Sequence, residues 1–416
     1  MESLPLFANK KEMVLASFVL AFLFAFSLGF QYFGYKNLTS QLLHVTNAKV
    51  LNHYEKYKSN GRAYDVFKLK SDEGYTFYTV TWKKKDIQIG SLVRVKFKTD
   101  KISFYKYLKN FFARNIFIKQ KDNIKNDTFT KVKRYIKSQH KTQDLKEIFS
   151  ALFFATYIQK VTRDKIQKLG ISHLVAISGF HLGMISAILY FLLGIFYKFF
   201  QDRYFPYRNA KADLAFVVFV ILFYYMYLID FSPSFLRSFM LSLFGFFLFS
   251  KNIKIISFAT LLISMSFVLV LFPRLLFSIS FWFSVSGVFY IFLFLKHFSN
   301  LPKYLIFILL NFWVYVMMMP IVHFVFKVFT PLQLFSPLLS MSFVIFYPLE
   351  LALHVVGFGG VFDKYLLDLL NLQTTFYEIT TPFWFLVFFI TVSIFSIFNK
   401  WLALLTFFLS TIIFFI

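Results

Sequence analysis

The chain has 416 residues, 58% of them hydrophobic and 23% aromatic, including 65 Phe. One soluble core could not hide that much apolar surface, whereas lipid hydrocarbon can, at roughly 20 apolar residues per spanning helix, so a polytopic α-helical membrane protein is expected. There is no cysteine, which excludes disulfides and thiolate metal sites, and the net charge of +25 is uneven, with 32 of 45 Lys/Arg and 13 of 20 Asp/Glu in residues 1–170.

In chain order, residues 13–35 are uncharged and long enough to span, with Lys10 and Lys11 before them and Lys36 after. The stretch is long for a signal peptide and no small-x-small cleavage site follows. A retained first helix in residues 1–36 is therefore predicted. Residues 37–105 change to period-two alternation with β-branched and aromatic residues, the pattern of strands. In Leu92–Lys98, Val93, Val95 and Phe97 point one way and Arg94, Lys96 and Lys98 the other; Tyr75–Trp82 and Tyr64–Lys70 read as further strands. Ser59-Asn60-Gly61, Asp72-Glu73-Gly74 and Gly90-Ser91 supply turns. Four or five strands predict a small all-β barrel or sandwich, and an OB-like barrel suits the size. Tyr75, Phe77, Tyr78 and Trp82 with Lys83, Lys84, Lys85, Arg94, Lys96 and Lys98 combine stacking faces with phosphate-attracting charge, the pattern of single-strand binders. A solvated basic face over an aromatic core fits the same residues.

Residues 106–170 read as basic, amphipathic, interfacial helices: Phe104–Ile118 is amphipathic, Lys119–Lys141 carries eight Lys/Arg, and Leu145–Tyr157 is apolar but short. From residue 171 to 416 apolar runs dominate. Candidate spans are about 173–197, 213–229, 234–250, 253–272, 275–295, 304–326, 332–350, 381–398 and 401–416, giving about 8–10 transmembrane helices in all. Residues 351–380, with Gly357, Gly359, Gly360, Asp363, Asp368 and Glu378, are expected to be looped, re-entrant or interfacial.

Three constellations interrupt the apolar spans. His173–Gly183 reads HLVAISGFHLG. Ser172 is a candidate N-cap, Ser178 and His181 would share a helical face, and Gly179 and Gly183 would admit a second helix closely. Polar groups at bilayer depth face a protein interior or a wet path; the same residues could also be a packing helix with satisfied side chains. In Asp230-Phe-Ser-Pro-Ser-Phe-Leu-Arg237, Ser232-Pro233 fits a helix start. Arg237 then lies near a positive helix end, misplaced unless Asp230 or a phosphate compensates. Around His323, Pro320, Pro331 and Pro337 are expected to break helices that line a path. No P-loop and no H-x-H-x-D-H or H-E-x-x-H motif occurs, which argues against an ATPase and against a hydrolytic metal centre.

HLVAISGFHLG closely resembles the His-Leu-Leu-Ala-Ile-Ser-Gly-Leu-His-x-Gly helix of the ComEC-type competence proteins. Asp230–Arg237 is similar to that family's Gly-Phe-Ser-Pro-Ser-x-x-Arg, and Phe281–Ser284 to its Phe-Gln-Leu-Ser-Phe, with Trp282 where Gln is usual. Pro320 to Phe324 and Ser336 to Leu339 resemble its later segments, and Ile102–Ile118 the end of its N-terminal domain. The resemblance covers nearly the whole chain. It implies a channel that admits single-stranded DNA across the cytoplasmic (inner) membrane in natural transformation, with no enzymatic activity and no cofactor. It also implies an OB-like extracytoplasmic domain, although the positive-inside rule alone would draw basic loops to the cytoplasm. Many members add a C-terminal metallo-β-lactamase-like hydrolase. This chain reads as a short form without it, leaving strand removal to another protein.

The residues expected to line the path or pack its helices are His173, Ser178, Gly179, His181, Gly183, Asp230, Arg237, Trp282 and His323. Expected partners are single-stranded DNA, a periplasmic DNA-delivery protein, a cytoplasmic motor or single-strand-binding protein, membrane lipid and a second copy of the chain. Two alternatives remain open. One is an intramembrane serine hydrolase with Ser178 as nucleophile and His181 or His323 as base. The other is a transporter of an anionic lipid or polysaccharide precursor.

Overall fold

The computed structural model describes residues 4–7, 9–57, 62–82, 87, 89–122 and 128–412. Lys83, Lys84 and Lys85, and the turn at Ser59-Asn60-Gly61, lie outside the described residues. The chain divides into two compact units: Phe7–Lys131 with Met265–Ile279, and Met1–Leu6 with Val132–Ser264 and Ser280–Ile416.

The first unit opens with helix α1 (Lys10–Thr39), whose N-cap Asn9 accepts the Glu12 N–H at 2.9 Å. Strands β1 (Leu43–Tyr57), β2 (Ala63–Ser71), β3 (Thr76–Thr81) and β4 (Leu92–Lys98) follow, then α2 (Phe104–Lys109), β5 (Phe111–Phe112) and β6 (Asn115–Asp122). The sheet order is β5-β3-β2-β1-β4-β6. All pairs are antiparallel except β3 with β5, so the sheet is mixed, and with α2 the module is not strictly all-β. The Phe104–Ile118 stretch read as one amphipathic helix is helical only to Lys109. Its alternating apolar residues then enter the sheet, and β6 carries the basic run on to Asp122.

The two edge strands, β5 and β6, are joined directly by Ala113 and Arg114. The Ala113 N–H donates to the Tyr78 carbonyl on β3, and the Arg114 carbonyl accepts from Lys98 on β4. A sheet whose two edges are joined by two adjacent residues must curl until those edges meet, which removes the exposed strand edge. A bulge in β1 between Val50 and Asn52 supplies local bending. Gly74 and Gly90 take left-handed backbone in the turns flanking β3 and β4.

The alternation in β4 is as predicted: Val93, Val95 and Phe97 are buried, Arg94 and Lys98 exposed and Lys96 half-buried. For β3 the expectation needs correction. Tyr75 and Phe77 are both fully buried, packing with Phe97, Tyr107 and Phe111 in the core of this unit. Neither offers a face to a base. Tyr78 is half-buried and Trp82 exposed, and the outer surface of β2–β3 adds Tyr64 beside Trp82 and Lys68 over Tyr78.

The second unit contains α4 (Gln143–Phe154), α5 (Lys160–Lys168), α6 (Ser172–Val175), α7 (Gly179–Tyr204), α8 (Ala210–Leu228) and α9 (Pro233–Ser250). It is preceded by α3 (Thr128–Ser138), and α10 (Phe258–Leu271) runs out of it. It continues with α11 (Ile279–Phe298), α12 (Lys303–Val325), β7 (Val328–Phe329), α13 (Ser336–Val356), α14 (Asp363–Asn371), β8 (Tyr377–Glu378), α15 (Phe383–Phe395) and α16 (Lys400–Thr411). Among the described residues, seven helical segments are long and apolar enough to cross a membrane, namely α1, α7, α8, α9, α11, α12 and Pro331–Val356; α10, α15 and α16 are shorter apolar helices. This is a multi-pass membrane protein. Pro320 lies inside a continuous α12 and does not break it, whereas Pro331 opens a 3-10 turn and Pro337 starts α13. Aromatic packing of α11, α12, α15 and α16 centres on Tyr290, Phe294, Trp313 and Phe389.

Phe77→Ala in full-length protein is expected to cost about 3–5 kcal/mol through the cavity it leaves, read as earlier thermal unfolding in detergent. Trp82→Ala, at an exposed position, is expected to stay within about 0.5 kcal/mol.

Candidate functional site

HLVAISGFHLG does not form one helix. Short α6 ends at Val175, the backbone is extended at Ala176 and Ser178, and α7 starts at Gly179. Ser172 is the first residue of α6, not its cap, and Ser178 caps α7. The three-residue spacing of Ser178 and His181 is therefore that of N-cap and N3. The Ser178 N–H donates to His181 Nδ1 at 3.2 Å, and Ser178 Oγ lies 3.1 Å from the same nitrogen. His181 thus takes the place that Glu or Gln holds in a capping box. With Nδ1 accepting, the ring proton sits on Nε2.

That Nε2 is buried and makes no hydrogen bond of normal geometry, the Leu174 carbonyl being the backbone group that faces the ring. The imidazole is walled by Phe180, Phe343 and Tyr347, the last with ring centroids 4.8 Å apart. His173 differs: it is enclosed by protein yet accessible, and its Nε2 is 3.1 Å from Ser340 Oγ on α13.

The two glycines also part ways. A Cβ on Gly179 would stand 3.3 Å from Ser238 Oγ of α9, so α7 and α9 approach closely there. A Cβ on Gly183 would meet nothing within 4 Å. The close-packing role expected of Gly183 is not what the structure places there, because the small-residue contact ends at the first turn of α7.

Arg237 lies next to that contact. Pro233 occupies the first turn of α9 as the sequence predicts, after two left-handed residues, Asp230 and Phe231. Arg237 is 3% accessible, and its Nε and Nη1 have no hydrogen-bond partner among the described residues. Its Nη2 reaches Ser234 Oγ at 3.3 Å and Ser280 Oγ at 3.5 Å, and the guanidinium lies 6.0 Å from the Phe281 ring centre. The expected compensation by Asp230 is not seen: Asp230 is exposed, and among the described residues no carboxylate pairs with Arg237.

Helix α9 touches α7 through Ser238 against Gly179, and reaches the first turn of α11 through Arg237 against Ser280. The starts of α9 and α11 each present a positive dipole end, and burying a cation beside them without a counter-ion is costly. The hydroxyls of Ser234, Ser238 and Ser280 went unnoticed in the sequence; their signal was serine in the first turns of helices that an arginine can bridge.

Trp282 is exposed beside buried Phe281. His323 is buried and turned back on its own helix, its Nδ1 3.1 Å from the Phe326 carbonyl at the end of α12. That is a helix-terminating role, and it lies apart from the Ser178–His181 pair as a candidate base. Among the described residues, no group of three or more His, Cys, Asp or Glu side chains could hold a metal ion.

A family model described as "Competence protein" matches residues 154–416. No curated protein and no solved structure matches the chain.

Arg237→Met is expected to leave thermal stability unchanged or to raise it, because the native cation is buried without a partner. A hidden ion pair would instead show as a loss of about 3–5 kcal/mol. Thermal unfolding of the full-length protein in detergent distinguishes the two.

Proposed function

The chain belongs to the competence protein family, and from that premise we propose that it is the conduit through which single-stranded DNA crosses the cytoplasmic membrane during transformation. The observation that carries this reading is Arg237, a buried guanidinium that pairs with no carboxylate among the described residues and reaches only the hydroxyls of Ser234 on α9 and Ser280 on α11. A polyanion cannot enter hydrocarbon and needs protein-lined polar footing. A guanidinium with free donors gives a passing phosphate a charge-assisted contact. A single such contact holds without trapping, which transit requires. His173 and Ser340, accessible and bonded to each other, supply further neutral polar lining.

In this reading the β module is an OB-like barrel on the extracytoplasmic side. Its support is the strand order and the joining of both sheet edges through Ala113 and Arg114. The surface that would meet DNA comprises Tyr64, Lys68, Tyr78 and Trp82 on β2–β3, with Arg94, Lys96 and Lys98 on β4. Exposed rings tolerate any base, and the cations attract backbone phosphate. Energy would come from a partner motor or an ion gradient, and delivery and reception of the strand from proteins on either side.

One distance favours a second reading. Ser178 Oγ lies within hydrogen-bond reach of His181, as a serine hydrolase requires. Against it, the same Nδ1 already accepts the Ser178 N–H, and no carboxylate orients the ring.

Uptake of labelled DNA by cells carrying single variants tests both readings. Arg237→Gln is expected to lower uptake about tenfold or more, the effect of removing one charge-assisted hydrogen bond. Ser178→Ala is expected to stay within about twofold, whereas a serine nucleophile would lose nearly all turnover. Normal uptake with Arg237→Gln would contradict the conduit. For the barrel, replacing Arg94, Lys96 and Lys98 with Glu is expected to weaken single-stranded DNA binding by the purified protein. The slope of log affinity against log salt should flatten by about 0.7 for each phosphate that is no longer neutralised.

A further inference from the structure

Four titratable side chains remote in sequence meet beneath α13. His140, in the loop after α3, sets Nδ1 2.8 Å from Asp363 Oδ1 at the start of α14. Its Nε2 is 2.9 Å from Nε2 of His354. His354 Nδ1 in turn hydrogen-bonds the Glu350 carbonyl at 2.7 Å, one turn back in α13, and lies 3.1 Å from Glu350 Oε2, although among the described residues neither carboxyl oxygen of Glu350 makes a hydrogen bond. Accessibility falls inward: the Asp363 side chain is 15% exposed, those of His140 and His354 are 0% and 2%, and that of Glu350 is 0%. Phe149 stacks on His140 at 4.3 Å, and Phe149 and Phe153 flank His354.

The backbone is built to hold this line. A Cβ on Gly359 would stand 2.5 Å from the His354 ring, and one on Gly360 would stand 2.6 Å from the Gln139 carbonyl. Gln139 fastens both sides, donating to the His354 carbonyl at 3.0 Å and accepting the Gly359 N–H at 2.7 Å. Other titratable groups on the elements packed here are Tyr135, against Gly357, and Tyr347, one turn before Glu350 and in ring contact with His181; α4 also carries Asp144, Lys146 and buried Glu147, α14 carries Lys364, Tyr365 and Asp368, and α3 carries Lys131, Lys133, Arg134 and Lys137.

Counting protons gives the inference. Each of the three contacts, Asp363–His140, His140–His354 and His354–Glu350, needs one hydrogen between its heavy atoms, since two bare lone pairs would repel. Two neutral imidazoles supply two. The line must therefore hold a third, shared by four groups none of which owns it, and two imidazole nitrogens 2.9 Å apart give it a short step between rings. We propose that Asp363, His140, His354 and Glu350 form a proton relay between solvent at Asp363 and the interior of α13 at Glu350.

Moving inward, a proton leaves His140 Nε2 as a bond forms to His354 Nε2, which leaves His354 an imidazolium beside the Glu350 carboxyl, its Nδ1–H still on the Glu350 carbonyl. The line resets when the proton returns or the rings turn. Burial pulls His140 below the ordinary imidazole value against the pull of Asp363, so the proton is not trapped at the outer end. Intramembrane chains of Asp, Glu and His serve as proton pathways. This inference does not rest on the nucleic-acid reading.

The test uses full-length protein in phosphatidylethanolamine–phosphatidylglycerol vesicles with a lumenal pH dye and an imposed potassium–valinomycin potential, with and without single-stranded DNA. Wild type is expected to admit protons at least about tenfold faster than empty vesicles under one of these conditions, and His354→Gln and His140→Gln to fall to about the empty-vesicle rate. Wild type at the empty-vesicle rate under both conditions, or variants as fast as wild type, would overturn the relay. A measurement on wild type alone guards against variants that fail to fold. Nitrogen-15 histidine NMR should show coupling across the His140–His354 hydrogen bond, and its absence would also overturn the proposal.

Discussion

The constraint around which the candidate site is organised is electrostatic: Arg237 is buried in an apolar bundle and pairs with no carboxylate among the described residues. Removing an ammonium- or guanidinium-sized ion from water costs several kcal/mol after relaxation. Here the starts of α9 and α11 add their own positive ends, so the local field disfavours the cation further. The left-handed turn at Asp230-Phe231 leads into α9, and the Gly179–Ser238 approach packs α9 against α7.

The β module solves a different problem. A basic surface needs a rigid frame, and a short sheet needs protected edges. Joining both edges through Ala113 and Arg114 achieves the second, and a core of Phe67, Phe77, Phe97 and Phe111 the first. Arg274 adds to this unit: it stacks 4.7 Å over Tyr107, donates to Gln31 of α1 at 3.0 Å and bonds the Gly74 carbonyl. Helix α1, α2 and the β2–β3 turn are thereby tied by one side chain.

Much of this was legible in the sequence, because strong periodicity reports burial directly. The alternation of Leu92–Lys98, the uncharged run 13–35 and the apolar spans from α7 to α13 all appear near their expected places. What failed was wherever period and direction diverge. Tyr75 and Phe77 are aromatic beside lysines, but strand alternation turned them inward; knowing the strand did not reveal which face was wet. Ser178 and His181 look like helix neighbours, yet a cap and its N3 residue have the same spacing. Pro320 looked like a breaker, but a membrane helix can absorb the freed carbonyl. The Glu350–His354 spacing of one helical turn inside an apolar run was readable, whereas its pairing with His140 and Asp363, more than 200 residues of separation in the first case, was not.

The central claim is that a polyanion passes Arg237 where α9 meets the start of α11. The most direct measurement places a photo-crosslinking residue at Ser234 or Ser280 and irradiates cells while labelled DNA is entering. The account predicts DNA adducts at both positions and none at exposed Phe216 on α8. DNA that still enters the cell while leaving no adduct at either serine would contradict it.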